Sequence, residues 1–110
     1  MNKIILFTVI ILLLSGCNVV GGDLFYNPLN QIEETLDQSD WEQAEKYANA
    51  FEDIYQKNKW KLQLIGDEGE YEGLNESIQR MIAGVKQKDM TNVRIELATA
   101  RSLISDIYSL

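Results

Sequence analysis

A chain of 110 residues, with 17 acidic and 10 basic side chains and a formal charge of −7, has room for one small domain. It lacks the clustered lysine and arginine that phosphate contacts need, so nucleic acid is a poor partner for it. With no histidine and a single cysteine, it also lacks the usual general base, the commonest metal ligand and any internal disulfide.

The chain opens on Lys3 and the free amino terminus, followed at 4–14 by a run that is apolar except for Thr8. A small positive region, a short apolar run and a small-residue exit describe a secretory signal. Eleven residues of helix span about 16 Å, roughly half of a hydrocarbon core. The exit, Leu14-Ser15-Gly16-Cys17, resembles the lipobox of bacterial lipoproteins. That resemblance implies transfer of a diacylglyceryl group to the Cys17 thiol, cleavage before it, and further acylation, palmitate included, of the new amino terminus. Two chains give a stable membrane hold where one is reversible. An uncleaved anchor helix is the alternative. Residues 1–16 are thus read as a signal peptide, 17–26 as the lipidated cysteine with a short tether, and 27–110 as the folded domain. Gly21 and Gly22 make the tether flexible, but its reach is short, so the domain should sit close to the bilayer.

Once Lys3 leaves with the signal, nine basic and 17 acidic side chains give a charge of −8. An anionic surface repels such a chain, so the lipid on Cys17 supplies the hold. The expected location is extracytoplasmic; in a host with two membranes, Asn18 stands where a retaining aspartate would be, so the outer membrane would be the expected destination.

The only proline is Pro28, and three glycines cluster at 66, 69 and 73. The remaining stretches lack breakers, which predicts a few long helices. The first is expected from Asn27, as cap, to Leu36, with Pro28 in its first turn and Phe25, Leu29, Ile32 and Leu36 on one face. The second starts at a Ser39–Glu42 capping box and carries Trp41, Ala44, Ala48, Phe51 and Tyr55 at alternating spacings of three and four. It continues through Asn58, Leu62 and Ile65 to Gly66, unless Lys57-Asn58-Lys59 divides it in two. The third spans 71–88, lined by Leu74, Ile78, Met81, Ile82 and Val85. Asp89 caps the fourth, at 90–108, whose stripe is Val93, Leu97, Ala100, Ile104 and Ile107, broadened by Leu103 and Ile95. Glu42–Lys46, Asp53–Lys57 and Glu76–Arg80 are favourable i,i+4 pairs. Short links make neighbouring helices antiparallel. The expected fold is all-α: a small antiparallel up-down bundle of three main helices plus a short N-terminal helix. A helical solenoid is the weaker alternative.

Chemistry finds few candidates. Ser77, Ser102 and Ser105 lack an activating base, and the one thiol is taken by lipid. Asp67, Glu68, Glu70 and Glu72 form a dense acidic turn that would hold a cation weakly, without the ordered spacing of a calcium loop. Its other reading is a solvated loop. Among the aromatics, Trp41, Phe51 and Tyr55 fall on the core stripe, whereas Tyr47 and Trp60 fall off it and are candidates for a partner-binding surface. Trp60 is read first as closing the end of the bundle, then as part of a partner surface, and last as touching lipid near the anchor.

The region from Trp41 to Tyr108 resembles the bacterial domain-of-unknown-function family numbered 4363. The resemblance lies in Trp41-Glu42-Gln43-Ala44-Glu45-Lys46, in Trp60-Lys61-Leu62-Gln63-Leu64, in the apolar spacing at 78–85, and in Glu96-Leu97 with Ile104-Ser105-Asp106-Ile107-Tyr108. It implies a short helical protein with an apolar amino-terminal segment and no assigned activity, cofactor or catalytic residue. The functional expectation is a non-enzymatic, membrane-tethered protein with an interaction or structural role toward an envelope protein. The alternative is an accessory binding module for a cation or small extracellular solute.

Overall fold

The computed structural model describes residues 22–109, and within them all regular structure is helical. Four helices follow in order: α1 (Leu24–Asp37), α2 (Trp41–Ile65), α3 (Glu68–Lys86) and α4 (Met90–Tyr108). The signal segment, the lipobox and Cys17 lie outside the described residues.

Each helix buries most of the stripe its spacing predicts, with Trp41, Asn58 and Ile65 of the α2 stripe only half-buried. Phe25, Leu29, Ile32 and Leu36 from α1 meet Ala44, Ala48, Phe51, Tyr55 and Leu62 from α2. The same cluster takes in Leu74, Ile78, Met81, Ile82 and Val85 of α3 and Val93, Leu97, Ala100, Ile104 and Ile107 of α4. Stripes of this width are marginal in isolated helices and persist because each is covered by the others. Ile95, expected to broaden the α4 stripe, instead faces outward. Leu103 is half-buried against the core.

Successive helices run antiparallel. α1 packs on α2 and α4, and α3 packs on the same two; α1 and α3 do not touch, and α2 and α4 touch only slightly across the other diagonal. The outer faces of α2 and α4 therefore point away from each other. Close approach is tightest at Gly84, where a Cβ would lie 2.8 Å from Val93 Cγ2.

Two turns are copies of one design. In the first, Ser39 takes a left-handed conformation at φ 53°, and Asp40 N donates to Thr35 O. In the second, Lys88 sits at φ 55°, and Asp89 N donates to Gly84 O. The aspartate then caps the next helix, Asp40 accepting from Gln43 N at 3.2 Å and Asp89 from Asn92 N at 3.1 Å. Ser39 is thus not the cap of α2, as its spacing to Glu42 suggested. It is consumed in reversing the chain, and the cap falls to its neighbour.

Two further boundaries differ from expectation. α1 begins at Leu24, ahead of Asn27, so Pro28 lies inside it with its ring buried on the apolar face. A π-helical turn at residues 22 and 23 leads in. α3 begins at Glu68, so most of the supposed acidic turn is its first coil. α2 is unbroken through Asn58, whose amide Nδ2 donates to Ile54 O at 2.8 Å and so stays within its own helix.

Candidate functional site

The acidic residues that stood out in the sequence are placed by helix capping. Asp67 accepts from the Glu70 amide at 2.9 Å, and Glu70 returns a carboxylate oxygen to the Asp67 amide at 2.9 Å. This reciprocal box satisfies two amides that a helix start leaves open. Glu72 leans instead toward Lys59, at 3.6 Å. Among the described residues, no group of three or more His, Cys, Asp or Glu side chains is placed to hold a metal ion.

The buried polar centre of the molecule went unseen in the sequence. Ser77 is fully buried on α3, and its hydroxyl donates to Glu96 O at 3.1 Å, with Oε2 of the same glutamate at 3.2 Å. Arg80 Nε donates to both Glu96 oxygens at 3.0 Å. Arg80 also lies 3.8 Å from Glu76, the i,i+4 pair the spacing suggested. The hydrogen bond to Glu96 raises the pKa of Arg80 further, so the guanidinium stays charged. The Glu96 carboxylate is taken up by these partners, and a buried serine beside it is closed to substrate. The trio ties α3 to α4. Beside it lies an open cleft lined by Ala83, Gly84, Gln87, Asp89 and Asn92.

Tyr55 makes the second buried polar tie. It is fully covered, and its hydroxyl donates to Tyr71 O at 2.8 Å. Burial, helped by nearby Glu72 and Tyr71, pushes its pKa up to about 12. Tyr108 shifts in the same direction through burial and the proximity of Tyr26.

The two aromatic candidates for a partner surface do not share a face. Tyr47 packs half-buried against the core and lines a polar groove between α1 and α2 with Gln31, Glu34 and Gln43. Trp60 is 58% exposed on the outer side of α2. Tyr47 and Trp60 stand 13 positions apart in sequence, about 20 Å along the helix and roughly 140° around it. Leu64, one turn beyond Trp60, is 75% exposed. Trp41, read as core, is half-buried at the core's edge.

A third exposed feature was missed. The outer face of α4 carries Thr91, Ile95, Ala98 and Ser102, all exposed, with Ile95 at 53%. Thr99 beside them turns its hydroxyl to Ile95 O at 3.0 Å. The arginines bordering this face point to α1, Arg94 to Asp37 at 2.8 Å and Arg101 to Asn30 and Glu33. Roughly three turns of helix therefore present no charge, in a chain one quarter of whose residues are charged. Periodicity could have found it, as a neutral stripe opposite the buried one.

A four-helix domain preceded by a leader that ends in a lone cysteine defines a class, the lipid-anchored proteins of the bacterial envelope. Residues 1–18 match the prokaryotic membrane lipoprotein lipid attachment site. Over residues 22–110 the chain belongs to the family described as domain of unknown function DUF4363. No curated protein and no solved structure matches it. No helix among the described residues is long and apolar enough to cross a membrane.

Proposed function

We propose that the anchored domain is a non-catalytic interaction module that meets an envelope protein through the outer face of α4. The observation that carries this reading is the uncharged strip centred on Ile95. A helix face without charge can be desolvated cheaply, whereas each unpaired charge at an interface core costs affinity. Ile95 is the anchor side chain, and Thr91, Ala98 and Ser102 allow a partner helix to approach closely. The capping roles of Asp67 and Glu70, and the internal pairing of Glu96, support this reading over a cation-binding or catalytic one.

A photo-crosslinking residue at position 95, in the lipidated protein in its native membrane, should give a discrete adduct. The same residue at the exposed Gln79 on α3 should not. Failure of position 95 to crosslink, or equal labelling from both positions, would remove the proposal. Ile95→Glu should abolish capture while leaving helicity unchanged, because the side chain is exposed.

A further inference from the structure

Trp60 with Leu64 forms another exposed apolar feature, at the end of the bundle where the chain enters α1. α1 runs antiparallel to α2, so the chain entering α1 arrives from the direction in which α2 leaves. Phe25, at the start of α1, packs edge-on against Phe51 with ring centroids 6.3 Å apart. Trp60 and Leu64 lie in the last two turns of α2, at the end of the bundle where the chain enters α1. Five backbone steps separate Gly22 from Cys17, a reach of about 17 Å at full extension. A tether of that length allows the lipid on Cys17 and the Trp60–Leu64 face to meet the same bilayer surface.

The end of the bundle is fixed in that sense by further contacts. Tyr108 lies against Phe25, with ring centroids 6.4 Å apart, and a Cβ on Gly22 would lie 3.4 Å from its ring. Ile107 meets Gly66 at the end of α2. The chemistry fits a bilayer surface too. Residues 57–65 hold three lysines and no acid. Lys57 precedes Trp60 by one turn, and Lys61 places Nζ 5.6 Å from the Trp60 ring centroid. Tryptophan between lysines is the pairing that settles at the headgroup level, the ring in the interface and the ammonium groups toward phosphate. Of the acids that follow, Asp67 and Glu70 cap the start of α3 and Glu72 faces Lys59, while Glu68 is exposed to solvent. Asp53 shares this side of α2, about two turns farther from the anchor.

We infer that the C-terminal half of α2 lies on the membrane interface, with Trp60 and Leu64 inserted and Lys57 and Lys61 at the phosphates, as a second contact beside the lipid. This rests on lipid attachment at Cys17. It also turns the outer face of α4, across the diagonal, away from the bilayer and toward the envelope space.

The test uses the lipidated protein in vesicles of phosphatidylcholine with a minority of phosphatidylglycerol, some lipids brominated just below the headgroup or near the chain end. The wild-type protein should show tryptophan emission quenched more by the shallow bromines than by the deep ones. Trp60→Phe should lose that quenching, and Leu64→Glu should lose most of it with helicity retained. Trp60 emission that is insensitive to brominated lipid yet quenched by aqueous iodide would overturn the inference. Quenching that depends on protein density in the bilayer would also overturn it, since a second copy would then be the covering surface. Flotation with vesicles, lost in Cys17→Ser, reports the anchor separately, so its failure is distinguishable from failure of the α2 contact.

Discussion

At the residue scale, buried hydroxyl and carboxylate groups join helices, with one exposed arginine reaching in. Tyr55 links α2 to α3, and Ser77, Arg80 and Glu96 link α3 to α4. Because the Tyr55 hydroxyl is held protonated in the fold up to about pH 12, and an ordinary tyrosine ionises near 10, the unfolded chain loses that proton first. Stability should therefore be unaffected by this group below pH 10 and decline as pH rises from 10 toward 12. Denaturant midpoints across that range measure it, with Tyr55→Phe as the reference. The variant should cost about 1 kcal/mol at neutral pH and flatten the alkaline decline. An alkaline decline equal to that of the wild type would assign the effect to another group. The sequence marked Tyr55 as core from its spacing alone. It gave no sign of the acceptor, because Tyr71 lies 16 residues on and meets it only once two helices have docked.

At the scale of elements, the interior of each helix was plain from periodicity and the ends were not. An end depends on one or two residues whose competing uses look alike in a sequence. Ser39 and Asp40 can each cap a helix, and the turn decides between them by needing one in the left-handed region. Asn27-Pro28 reads as a cap and first turn, yet the apolar face continues back to Phe25 and carries the helix with it. The run 67–72 reads as a loop because its glycines suggest one, although its aspartate and glutamate sit at the spacing of a capping box. Lys88 provides the test. A residue with a Cβ costs roughly 1–2 kcal/mol in the left-handed region, part of which glycine loses again in chain entropy. Lys88→Gly should thus stabilise the domain by about 0.5–1 kcal/mol, read from thermal or denaturant unfolding. A destabilisation would mean that the lysine side chain contributes contacts there that its exposure does not suggest.

At the scale of the whole molecule, α1 is the shortest of the described helices and the one through which any pull on the anchor must pass. It is held by the buried side chains of its apolar face and, on its outer side, by Arg94 and Arg101 reaching across from α4. Exposed ion pairs of that kind contribute little each, so the apolar face must carry the attachment. That face belongs to the same contiguous core as the other three helices, with Phe25 touching Phe51 of α2 and Tyr108 of α4. A domain built this way should unfold in one step. Phe25→Ala, which opens a cavity where α1, α2 and α4 converge, should cost about 3–5 kcal/mol, and the loss should be shared by all four helices. Helicity by circular dichroism and the fluorescence of Trp41, at the far end of α1, should move to lower denaturant together. Two separated transitions, with the Trp41 signal changing while most helicity persists, would instead make α1 a detachable strap between anchor and bundle. The interface contact of α2 would then be needed to keep the domain oriented, because a strap that melts leaves the lipid unable to fix which face meets the bilayer.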